Sequence, residues 1–195
     1  MMSFNAVRAL TGCLLDVEAN ADLLGWGQPP LLLLVQERPA PSAASGTRRQ
    51  MRVAHLPLND TRLGRYRAGL ADFLPDLAAA LRADRPVGRP TLAACVDIGL
   101  IADLLADPAP GLRLLAWAVR YEDVLVESDD IHEIRRIDAV DADRRGYQIT
   151  RQRQEPYPVV CVDEPHCHGD APATRSGLTR LVATTRRPDR RAPRP

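Results

Sequence analysis

The residues best suited to chemistry lie together in the run CVDEPHCHGD, from Cys161 to Asp170. Zinc prefers thiolate and imidazole ligands, and local zinc signatures usually separate them by two to five residues. Here four residues separate Cys161 from His166, and His166, Cys167 and His168 are consecutive. In an extended chain His166 and His168 project to one side and Cys167 to the other. One loop would thus supply two or three ligands, with Asp163 or Asp170 completing the set. A structural zinc site normally has a second ligand pair. None is local, so Cys13, Cys95, His55 or His132 would have to arrive through the fold. The expectation is a polar loop after a strand ending near Cys161. A zinc-binding domain or metal-dependent hydrolase is the alternative.

Two acidic clusters invite the same question. In ESDDIHEIRR (127–136), Ser128, Asp129, Asp130 and Glu133 surround His132. An acid beside an imidazole can orient it as a general base, but the run lacks the glycine and alternation of an EF-hand loop. Asp138, Asp141 and Asp143 together could hold a divalent cation. Aspartate is also favoured at strand ends and turns for backbone reasons. The first cluster reads as a solvated charged turn, and the aspartates as structural residues of a strand end and turn.

Arginine dominates the remaining chemistry: all 26 basic residues are arginine, and the chain has no lysine. That excludes a phosphate-binding loop ending in GK[ST], a kinase site and Schiff-base catalysis. No G-x-S-x-G elbow is present. Gly25-Trp26-Gly27 leads into a strand, whereas a dinucleotide-binding fingerprint must open a helix. Arg151 and Arg153 would share one strand face, near Arg135, Arg144 and Arg145. From Ala171 onward there are seven arginines, including Arg186, Arg187, Arg190 and Arg191, against Asp189 alone. The tail is therefore net +6 on a body of about −5, within an overall charge of +1. Such a tail and hairpin face could grip phosphate and bind nucleic acid. Base-stacking aromatics nearby are limited to Tyr147 and Tyr157, and acids are interspersed, so a mixed, solvated sheet face is the expected role.

The elements that must position these residues follow from periodicity. Val7, Leu10, Leu14, Val17, Ala21 and Leu24 mark one face of a helix, which Gly25 and Gly27 stop. PPLLLLVQER reads as a buried strand and QMRVAHLPL as its hairpin partner, across a loop at 39–49. Asn59-Asp60-Thr61 offers N-cap chemistry to a helix over Leu63–Leu81, which Pro75 should kink or divide. Leu92–Leu105 predicts a well-buried helix. Residues 112–127 predict a strand with Leu115, Trp117, Val119 and Tyr121 on one face. RRIDAV and RGYQITRQR form a glycine-assisted hairpin, YPVVCV is a final strand, and no period survives beyond Pro165.

Together these predict a single α+β domain over 1–164: a mainly antiparallel sheet of about five strands packed against two to four helices. Residues 165–195 are expected to be a disordered Arg/Pro-rich tail. The longest apolar run, LLLLV at 31–35, is too short to span a membrane. No signal-peptide core is visible, so a cytoplasmic protein with reduced cysteines is expected. The functional expectation is a non-enzymatic interaction or accessory domain acting through a protein partner. Metal binding through Cys161, His166, Cys167 and His168 is one alternative, and nucleic-acid binding through Arg151, Arg153 and the tail arginines is another. Zinc is the sole cofactor suggested.

Overall fold

The computed structural model describes residues 1–39, 49–82, 90–106, 112–127, 130–163 and 171–186. Six strands form one antiparallel sheet: β1 (Leu31–Pro39), β2 (Arg49–Pro57), β3 (Arg113–Glu127), β4 (Asp130–Asp141), β5 (Gly146–Gln152) and β6 (Val159–Asp163). Their order across the sheet is β2-β1-β3-β4-β5-β6. The α+β class and hairpin pairings match the sequence reading, with six strands where about five were expected. The sheet separates two apolar layers.

Helix α1 (Phe4–Leu24) covers one face. Ser3 caps it by accepting from the Ala6 amide, and Gly25 ends it at φ +87°, a conformation glycine adopts at little cost. Leu10, Leu14 and Val17 pack on Leu33, Val35, Ile137 and Ile149. Leu24 escapes the expected stripe and is exposed, because the helix ends there.

The other face carries α2 (Asp60–Leu63), α3 (Leu70–Arg82), α4 (Pro90–Ala93), α5 (Ile98–Ala106) and α6 (Arg175–Thr185). Asn59 caps α2 through the Arg62 amide, as its type predicts. The helix expected over Leu63–Leu81 is interrupted instead at Gly69 (φ +54°), and α3 then runs through Pro75 undivided. The helix expected over Leu92–Leu105 is two helices. Asp97 accepts from the Leu100 amide and starts α5 afresh. Within α5 only Ile101 is fully buried, so an all-round apolar composition overstated its burial.

Two corrections bear on function. The face assigned to Leu115 is wrong: the β1–β3 register shifts between Val35 and Gln36, inserting one extra residue on β3. Leu115 therefore joins Ala116 on the α1 side, while Trp117 and Val119 face the other helices. The boundary at Pro165 is also wrong for residues 171–186. Leu178, Leu181 and Val182 of α6 are buried in the core, and Trp117 Nε1 donates to Thr185 Oγ1 at 2.8 Å. Residues 187–195 lie outside the described residues.

Candidate functional site

Where α1 ends, an unusual concentration of charge lies beneath it. Glu18 falls on the buried stripe between Val17 and Ala21, so its carboxylate is carried under the helix and is 1% exposed. Arg151 of β5 meets it with two guanidinium nitrogens, Nε and Nη2, each at 2.6 Å. These hydrogen bonds hold the Arg151 guanidinium more basic than usual. Arg135, directly opposite Arg151 on β4, is fully buried and lies 3.5 Å from both Glu18 and Asp22. Its Nη2 donates to the Gly25 carbonyl at 2.6 Å, so it also satisfies the helix end. Arg120 completes the row by donating to the Pro29 carbonyl, and burial together with nearby Arg135 lowers its basicity.

Trp26 lies over this cluster, with the Arg135 guanidinium 4.5 Å and that of Arg153 5.6 Å from its ring centroid. Glu122 holds the loop by accepting from the Gly27 amide at 2.8 Å. Beyond Trp26 the helix stops but the β3–β4 hairpin continues, opening a groove of about 430 Å³. Trp26, Gly27, Glu122, Asp123, Val124, Glu133 and Arg153 line it, and Arg153 pairs with Glu133 across it. Strand parity places Val124, Val126 and Ile131 on the sheet face that α1 covers further along. They are exposed, as are Leu23 and Leu24 in the last turn of α1 and Tyr157 beside the β5–β6 turn.

The other expected site residues are dispersed. Cys161 is exposed on β6, with Sγ 4.0 Å from Asp163 Oδ1; His166, Cys167, His168 and Asp170 lie outside the described residues. Cys13 belongs to α1 and Cys95 to the opposite layer, and burial raises both thiol pKa values. The fold therefore does not bring these two thiols together. Among the described residues no group of three potential metal ligands converges. Ser128 and Asp129 also lie outside the description, while Asp130 and Glu133 are exposed and His132 is half-buried on the hairpin.

The aspartate triplet is split by the sheet. Asp138 accepts from Tyr121 Oη and Thr174 Oγ1, both at 2.7 Å, on the α6 side. Asp141 accepts from Tyr147 Oη and from the Asp143 and Arg145 amides on the α1 side. Their carboxylates hold strands and a turn together and do not share a point in space. Of the candidate arginines, Arg151 is occupied by Glu18 and Arg145 is buried beside Asp141 at 3.5 Å. Arg144 is exposed in the turn at φ +70°. Arg153 and Arg186 reach the surface, and Arg187, Arg190 and Arg191 lie outside the described residues.

The class is thus an α+β protein built on one antiparallel sheet with helices on both faces. No family model matches the chain, and no match was found among curated proteins or solved structures. No helix among the described residues is long and apolar enough to cross a membrane.

Proposed function

We propose that this chain is a cytoplasmic partner-binding domain that works by docking a protein against the bare end of the α1 face. One observation supports this reading: Val124, which lines the Trp26 groove, and its neighbours Val126 and Ile131, paired directly opposite one another on the same sheet face, are all exposed. Scattered exposed apolar residues need no explanation, but a contiguous group rimmed by charge characterises interaction surfaces. Below the patch, the buried Arg135, Arg151 and Glu18 cluster fixes the helix end against the sheet, so the surface is presented rigidly. A rigid patch loses less entropy on binding.

The test compares the wild-type chain with a Val126→Asp, Ile131→Asp double variant, each purified from the native cell with everything it retains. Both positions are exposed, so folding is expected to be unchanged, as circular dichroism would verify. The reading expects one protein recovered in near-stoichiometric amount with the wild type and lost from the variant. Identical recovery from both would overturn it.

A further inference from the structure

We propose that the outer edge of β6 joins two copies of this chain through an antiparallel β6–β6 pair, with the two-fold axis at Cys161. This surface lies at the edge of the sheet and is separate from the hairpin patch. Among the described residues β6 is the last strand in the sheet and pairs with β5 alone. An edge of this kind presents a row of backbone donors and acceptors that templates another strand. Edges are normally guarded by charge, by a bulge or by proline within the strand. Val159, Val160, Cys161 and Val162 are all exposed, and none carries charge. The opposite edge, β2, carries Arg49, Arg52 and His55. The unguarded edge is β6.

The segment is its own complement, which selects a second copy over an unrelated strand. Pro156, Pro158 and Pro165 bracket it, and proline cannot donate to a ladder, so the pairing window is about the five residues of β6. Val160 and Val162 lie opposite Ile149 and Tyr147, hence on the α1 side; Val159, Cys161 and Asp163 face the α6 side. A two-fold axis perpendicular to the sheet keeps each face continuous and pairs residues of like parity. Centring on Cys161 gives the fullest overlap. Val160 of each copy then meets Val162 of the other, Cys161 meets Cys161, and Val159 meets Asp163. Asp163 is the strand's one charge and is held by Arg175 of its own chain at 2.8 Å. The two Asp163 carboxylates fall at opposite ends of the window, so no like charges oppose each other.

Two short strands bury little area compared with the roughly 1,000 Å² of a stable interface. Tyr157, 81% exposed just ahead of β6, extends the contact. Association is therefore weak and concentration-dependent.

The register makes the proposal sharp. Residues directly opposite across antiparallel strands have Cα atoms about 4.5–5.5 Å apart, within disulfide range. A Cys13→Ser, Cys167→Ser variant retains Cys161 as its one exposed thiol among the described residues. A second protein moves that thiol two residues, by adding Cys161→Ser and Val159→Cys. In the proposed register its thiols sit four positions apart, about 13 Å along the strand, which is too far to bridge. Both are treated with diamide in the presence of a metal chelator and resolved on a non-reducing gel. The expected result is a reducible dimer from the Cys161 protein and none from the Val159→Cys protein. Sedimentation of the untreated wild type should show dimer growing with concentration, and Val160→Asp should remain monomeric over the same range. Equal cross-linking at both positions, or a wild type that stays monomeric throughout, would overturn the proposal.

Discussion

Arg151 grips Glu18 with two parallel hydrogen bonds of 2.6 Å, tying β5 to the underside of α1 across 133 residues of sequence. Both side chains are buried. Removing either partner takes from the other's buried charge its two shortest hydrogen bonds, leaving Glu18 with Arg135 at 3.5 Å or Arg151 with Asp22 at 3.6 Å, whereas removing both leaves neither charge to suffer that loss. Glu18→Ala or Arg151→Ala is therefore expected to cost about 3–5 kcal/mol, and a Glu18→Leu, Arg151→Met pair much less than the sum. Urea denaturation of the four proteins measures the coupling. Additive losses would show that the pair does not act as a unit.

Two tyrosines predict how the fold responds to alkali. Burial and then Asp138 raise the Tyr121 phenol well above its ordinary range, and burial and then Asp141 do the same to Tyr147. The folded state thus keeps both phenols protonated where the unfolded chain ionises them. Below the unfolded value of about 10 both states are protonated and stability is unaffected; above it, ionisation favours unfolding and stability falls as pH rises. The urea midpoint should hold steady up to about pH 9 and then decline. A Tyr121→Phe, Tyr147→Phe variant should start lower, because Asp138 and Asp141 each lose a donor, and decline less steeply. Parallel slopes for the two proteins would refute the assignment.

What could be read from the sequence was what rests on local periodicity. The Leu10, Leu14, Val17 and Ala21 stripe, the Asn59 cap and the β4–β5 hairpin all depend on neighbours a few residues apart. The Leu115 bulge was hidden because one inserted residue inverts parity without changing the apolar character of the run. Helix α6 was hidden because Leu178, Leu181 and Val182 form a narrow stripe among Arg and Thr, with Gly177 inside it. At the candidate site, strand alternation alone puts Arg151 and Arg153 on one face. It does not supply their surroundings, since Arg151's partner, Glu18, lies on the first helix. A local signal did exist: Glu18 falls on an otherwise apolar helical stripe.

Gly177 shows why α6 tolerates a poor helix former. A Cβ at this position would lie 2.5 Å from Leu74 Cβ and 3.0 Å from Pro75 Cδ of α3. The two helices approach closely only because that atom is missing. Gly177→Ala gains up to about 1 kcal/mol of helix propensity, but the overlap costs about 1–3 kcal/mol or more, so net destabilisation is expected. Thermal unfolding decides the sign. A raised midpoint would mean that α6 does not pack as closely on α3 as described.

Helix α6 also determines where the chain can be shortened. Leu178, Leu181 and Val182 are buried against a core that includes Leu74, Leu77, Trp117 and Val140. Losing α6 would expose that surface and remove the Thr185 partner of the Trp117 indole. Deleting 171–195 forfeits about 1.5–3 kcal/mol for each large apolar side chain no longer buried. Several such losses approach the whole stability of an ordinary domain. Deleting 187–195 removes four of the tail's arginines and none of this packing. The shorter deletion should keep a wild-type unfolding midpoint, and the longer one should yield an unfolded or aggregated chain by circular dichroism. The shorter deletion is therefore the variant in which to test the tail for nucleic-acid binding. Salt-sensitive affinity lost there can be assigned to Arg187, Arg190, Arg191 and Arg194, whereas loss in the longer deletion would reflect only a ruined core. A folded, cooperative 1–170 chain would contradict the position of α6 in the core.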